Sequence, residues 1–134
     1  MDNSRFSITP RISEVNSGNH IGNQILPVWF EEARLSIMHQ LLQHLTPSAT
    51  HMVRHAAYDY ARELRYGSDV EIRNGIAKTG TTSITFYQEA WQHGARAVTA
   101  TTTIVLFDRN TNATTPLTAT GREFLRPFAI AGEL

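Results

Sequence analysis

Apolar residues change their spacing twice along this 134-residue chain, and the changes divide it into segments. Over residues 6–13 apolar and polar residues alternate, with Phe6, Ile8 and Ile12 in phase. A period of two puts alternate side chains on one face of a strand, and Pro10 assigns that strand to an edge or to a kinked start. Residues 14–23 are rich in Asn, Ser and Gly and read as a loop. From about Asn23 to Leu45 the spacing becomes three and four. Phe30, Ala33, Ile37, Leu41 and Leu45 form a stripe, widened by Val28, Met38 and Leu42, as in an amphipathic helix. Asn23 is placed to cap this helix, Pro27 is tolerated in its first turn, and Thr46-Pro47-Ser48 ends it.

Beyond that point the pattern predicts β-structure. Met52 to Glu63, Asp69 to Ala77, Ser83 to Gln92 and Arg96 to Phe107 are expected strands, separated by turn signals at Tyr66-Gly67-Ser68, Lys78-Thr79-Gly80-Thr81 and His93-Gly94. Pro116 to Thr118 is expected to form a short last strand. Thr120-Gly121-Arg122-Glu123 has the spacing of a capping box and predicts a short helix through Arg126. One strand, one long helix and then consecutive antiparallel strands define an α+β class in a single domain over residues 1–134. The simplest packing is one long central helix wrapped by a curved antiparallel sheet of about five to six strands. A lone edge strand in such a sheet invites pairing with a second copy, so a homo-oligomer, a dimer or a dimer of dimers, is expected.

Composition narrows the function classes. Lys and Arg together number 12, as do Asp and Glu, so the balance gives no argument for nucleic acid or an anionic membrane as partner. The cations are nearly all Arg, with Lys78 the one Lys, which suits planar recognition of phosphate or carboxylate. With no cysteine, disulfides, thiolate catalysis and Cys-zinc sites are excluded. No apolar run reaches the roughly 20 residues of a membrane span. The first residues lack the layout of a signal peptide, so a cytoplasmic location is expected. His51 and His55 are four apart, but on a strand that spacing alone makes no metal site; no metal and no cofactor is expected.

The polar loop and the head of the helix carry the most information. Residues 14–23 read Glu-Val-Asn-Ser-Gly-Asn-His-Ile-Gly-Asn, and Phe30-Glu31-Glu32-Ala33-Arg34 follows seven residues later. This pair of motifs resembles the hotdog-fold acyl-CoA thioesterases, in particular the branch that includes 4-hydroxybenzoyl-CoA thioesterase. Members commonly show Asp-x-Asp-x-x-Gly-His-Val-Asn-Asn and then an aromatic with Glu-Glu-Ala-Arg. Glu14 and Asn16 stand at the two Asp, Asn19 at the Gly, His20 at the His, and Gly22 and Asn23 at the two Asn. Tyr60 to Asp69 is similar to the strand and turn that follow in the family, and the likeness extends over residues 6–128. It implies a hotdog fold and hydrolysis of an acyl-CoA or an acyl-carrier-protein thioester. In catalytic members the second Asp is base or nucleophile; here it is Asn16, and an amide has no basicity to use at neutral pH.

Hydrolysis of a thioester passes through an oxyanion, which needs donors aimed at it and a group that activates water. Backbone N–H groups near Gly22 and Asn23 lie where a helix N-terminus adds partial positive charge. His20 either contacts the thioester and handles a proton or stiffens the loop. Asn16, Asn19 and Asn23 orient substrate or water, or simply shape turns. Glu31 and Glu32 are adjacent, about 100° apart on a helix, and cannot share one site. Glu32 borders the buried stripe and is the expected partly buried general base, Glu14 a solvated alternative. Trp29, Tyr58, Tyr60 and Trp91 are expected core or interface aromatics, one of which lines an acyl pocket. Two alternatives stay open: a non-catalytic module that binds acyl thioesters, motivated by Asn16, and a hotdog hydratase or dehydratase, suggested by a loop His with a helical acid.

Overall fold

The opening alternation supports only a short strand. In the computed structural model, which describes residues 4–130, β1 covers Arg5–Ile8. Beyond Pro10, which has no N–H to give a ladder, the chain makes a 3-10 turn over Ile12–Glu14. The strand expected over 6–13 is therefore cut short, and the turn carries Glu14 inward instead.

Helix α1 spans Leu26–Leu42, 17 residues, and is shorter at both ends than the expected Asn23–Leu45. At its front, residues 22–25 close a turn of their own, Ile25 N–H donating to Gly22 O at 3.0 Å. Asn23 stays exposed and does not cap; Ile25 occupies the cap position, and Pro27 sits in the first turn, where its missing N–H has no role. At its back, the N–H groups of Gln43, His44 and Leu45 reach carbonyls only three residues away (3.2, 2.8 and 3.2 Å), a tightened ending before Pro47.

The remaining elements are β2 (Ala49–Tyr60), β3 (Val70–Thr79), β4 (Ser83–Gln92), β5 (Ala95–Asp108), β6 (Ala113–Thr114) and α2 (Ala119–Leu125). All strand pairs are antiparallel, in the order β1-β3-β4-β5-β2, with β6 added beside the end of β5. Strands β4 and β5 are joined by His93 and Gly94 alone, both at positive φ (54° and 73°), a tight hairpin turn whose twist matches the strands. The expected strand at 116–118 is replaced by β6, and Leu117 makes one backbone bond, to Thr81 O at 2.8 Å. The cap of α2 is Thr118, whose Oγ1 accepts from Gly121 N at 3.0 Å, rather than Thr120. The Thr118 hydroxyl also donates to His44 O at 2.8 Å, as that of Thr120 does at 3.3 Å, and both tie α2 to the end of α1.

Helix α1 lies on one face of the sheet and buries Trp29, Phe30, Ala33, Ile37, Met38 and Leu41. The core divides into two apolar clusters, one around Trp29, Phe30 and Ile72, the other around Ile37, Phe86 and Ile104. Each strand beneath the helix has a polar residue at the divide: Asn74 between Ile72 and Ile76, Gln88 between Phe86 and Ala90, Thr102 between Ala100 and Ile104. Gln88 Nε2 donates to Phe30 O (2.9 Å) and Asn74 Oδ1 (2.7 Å), and Asn74 Nδ2 donates to Ala33 O (2.8 Å). Arg34, only 4% exposed, donates from Nη1 to Gln88 Oε1 at 3.1 Å. The seam fixes where the helix sits along the sheet, and with it the position of the helix's front end.

Candidate functional site

The loop before α1 is shaped by its own amides. Asn16 N–H donates to His20 O (2.9 Å) and Asn19 N–H to Asn16 O (3.1 Å). Asn16 Oδ1 in turn accepts from Gly18 N (3.0 Å) and His20 N (3.2 Å). Asn19 adopts φ 64°, a left-handed conformation that Asn tolerates better than most residues and that lets the chain reverse just before His20. The closed loop is then fastened to the connector between β2 and β3. Ile21 N–H donates to Leu64 O at 2.8 Å, His20 and Arg65 form a backbone bridge, and both Ile21 and Leu64 are buried.

These bonds create a cleft of about 440 Å³ between the loop, the front of α1 and residues 60–64. Asn16, His20, Gly22 and Asn23 of the expected site line it together, with Gln24 and Leu26 behind them. The expected oxyanion donors need one revision. The N–H of Gly22 is already given to Glu14 O at 3.1 Å, because the loop closes there as a short antiparallel pair. The N–H groups of Asn23 and Gln24, one and two residues on, have no acceptor among the described residues. They sit at the helix front, where uncompensated donors and the helix dipole coincide.

Glu32 is not part of this cleft. It is exposed rather than partly buried, and lines a separate groove with Ile8, Arg11, Glu14 and Trp29. Its neighbour Glu31, also exposed, lies beside Arg34 and His51 under β2. Burial, aided by the nearby Arg34 charge, pushes the His51 imidazole down from its ordinary value. Glu14 is buried, not solvated, and accepts from Trp29 Nε1 (2.9 Å), Arg11 N (2.8 Å) and Arg11 Nη2 (3.3 Å). Burial would raise its carboxyl, but the hydrogen bonds from Trp29 and Arg11 outweigh that and hold it below the usual carboxylate range.

Glu63 is the residue that spacing along the sequence did not single out. Its Oε2 lies 2.6 Å from His20 Nε2, and Glu63 also lines the cleft. The two are 43 positions apart, and the fastening of the loop to residues 64 and 65 brings them together; an acid next to Leu64 in a connector gives no local signal. Tyr60, which lines the cleft, stacks on Tyr58 with centroids 6.3 Å apart, and Tyr58 meets Phe30 at 5.9 Å, so an aromatic path leads from the cleft toward the helix. Among the described residues no three His, Asp or Glu side chains converge to hold a metal ion, and no helix is long and apolar enough to cross a membrane.

An antiparallel α+β sheet with an Asn- and His-bearing loop at the helix front defines a class, and the sequence agrees with it. The family model of the thioesterase-like superfamily matches residues 10–125, and the chain belongs to that superfamily. Among solved structures it is similar to a predicted thioesterase from Bacillus stearothermophilus, at 31% identity and TM-score 0.85, covering 94% of this chain and 96% of that one. It is also similar to a thioesterase from Thermus thermophilus solved with coenzyme A and Zn (18% identity, 94% and 93% covered, TM-score 0.81). A third is the DHNA-CoA thioesterase of Staphylococcus aureus (20% identity, 85% and 80% covered, TM-score 0.76). Among curated proteins none matches the sequence.

Proposed function

We propose that the chain hydrolyses acyl thioesters of the coenzyme A type in the cleft beside His20. The observation that carries this reading is the pair of N–H groups at Asn23 and Gln24, without an acceptor among the described residues, on two residues that line the same cleft as His20. The thioester carbonyl oxygen accepts from these donors, and the positive end of a 17-residue helix favours the charge it gains as water adds. The acyl group lies along Tyr60 and Tyr58, and Arg62 at the cleft offers a guanidinium to an anionic thiol carrier. A relative of this fold was solved with coenzyme A, which fits that choice of carrier.

The active form in this reading is a homo-oligomer. Among the described residues β2 pairs only with β5, and its Met52, Val53 and Tyr60 are all at least 45% exposed. An edge strand with exposed apolar side chains set among Arg54, His55 and Asp59 is suited to a second copy of the chain.

A non-catalytic acyl-thioester-binding module is the second reading, and one observation favours it: the amide at position 16 is spent on the loop's own N–H groups. Thiol release from short, long and aromatic acyl-CoAs, followed with a thiol-reactive dye, separates the two. The chain has no cysteine to add background. Release well above buffer is expected for at least one donor; tight binding in calorimetry with no release across the panel establishes the binding module.

A further inference from the structure

We infer that Glu63 supplies the carboxylate that position 16 lacks, taking the proton from the hydrolytic water while His20 holds it in place. The inference rests on the thioesterase reading above. Four acids lie near the loop and the first turns of α1, and three are committed elsewhere. Glu14 is buried under Trp29 and Arg11, and Glu31 and Glu32 open onto other grooves. Glu63 is the one carboxylate among the described residues lining the cleft.

The geometry assigns the roles. A carboxylate only accepts, so at 2.6 Å His20 Nε2 carries the proton between them, and Glu63 Oε2 is fixed. Oε1 is left to receive a proton from water. The backbone that carries the imidazole is fixed in turn, because the His20 N–H is bound by Asn16 Oδ1 and its carbonyl by Asn16 N. Asn16 thus acts on the reaction through the loop, and the acid has moved to the neighbouring connector. Stability does not explain the contact. Glu63 is 62% exposed, and an exposed ion pair contributes little to folding. The charged and titratable groups facing the pair are Arg62 and Arg65 of the connector, the latter 4.0 Å from Glu63 Oε2, and Tyr60 of β2. The loop and the front of α1 bring amides only: Asn16, Asn23 and Gln24.

In the step itself, water forms the new C–O bond to the thioester carbonyl as one of its protons passes to Glu63 Oε1. The oxyanion, held by the Asn23 and Gln24 N–H groups, collapses and breaks the C–S bond. The departing thiolate takes the proton back from Glu63, which returns to its starting state.

The test compares the full-length protein with Glu63→Gln and Glu63→Asp on the acyl-CoA it releases fastest. Gln keeps an oxygen for His20 but has no basicity. The expected loss in kcat for Glu63→Gln is about 100- to 1,000-fold with KM within about two-fold, the range of a lost general base. Glu63→Asp recovers part of kcat. Hydroxylamine, which attacks without help from a base, restores acyl transfer to Glu63→Gln more than it accelerates the wild type. Unchanged melting of both variants shows that the fold is kept. An unaltered kcat in Glu63→Gln, or a loss confined to KM, overturns the role of Glu63 and leaves the thioesterase standing. A wild type that turns over no donor overturns both.

Discussion

Glu14 shows how much one side chain can do away from the chemistry. Its carboxylate has three donors, from Trp29 of α1 and from the backbone and side chain of Arg11, and so ties the incoming chain to the helix. Replacing it by Gln is expected to cost about 1–3 kcal/mol, the range for buried hydrogen bonds to a charged group. The carboxyl is held below its ordinary value of 4.5 in the folded state, so the folded state binds the proton less readily than the unfolded one. Its contribution is therefore complete above that value and is lost as the pH falls through the folded-state value. Urea unfolding of wild type and Glu14→Gln between pH 7 and pH 3 checks this: the gap in stability should be widest near neutrality and close on acidification. Asn16 shows the same division of labour in reverse, since a residue at a position associated with catalysis is here occupied with closing a turn.

At the scale of elements, the seam beneath α1 governs how helix and sheet meet. Gln88 connects Arg34, Asn74 and the Phe30 carbonyl, and burial pushes the Arg34 guanidinium down from its ordinary value. Gln88→Leu is expected to cost about 3–5 kcal/mol, because it leaves a buried cation without its acceptor. Adding Arg34→Met should recover part of that loss. A double-mutant cycle in denaturant should give a coupling on the order of 2 kcal/mol, while purely additive costs would refute the link. The sequence carried the elements themselves well: β4 falls on Ser83–Gln92 as its alternation predicts, and the His93-Gly94 turn is where the dipeptide places it. Element ends were harder to read. Whether Asn23 or Ile25 begins the helix turns on the bond from Ile25 N–H to Gly22 O, and whether Thr118 or Thr120 caps α2 on which hydroxyl the Gly121 N–H meets, details of backbone path that residue type alone does not give. The loop with Asn16, His20, Gly22 and Asn23 was legible because it is one contiguous motif. Glu63 was not, since its nearness to His20 is made by tertiary hydrogen bonds.

For the whole molecule, the free side of β2 is the face on which the proposed self-pairing is tested. Val53 is 50% exposed on a strand that, among the described residues, pairs with β5 alone. Sedimentation equilibrium is expected to return at least twice the chain mass, and Val53→Asp should shift the protein toward monomer while its circular dichroism is kept. A monomeric wild type would refute the self-pairing of this face. The backbone bridge between His20 and Arg65 has a different kind of consequence. It ties the geometry of the cleft to the number of residues between Tyr60 and Val70. The exposed positions of that span outside the cleft can exchange side chains freely, apart from Gly67, whose φ of 108° favours glycine. Adding or removing one residue would slide Leu64 off the Ile21 N–H and pull Glu63 out of reach of the imidazole. Across descendants of this chain, substitutions should accumulate in the connector where insertions and deletions do not.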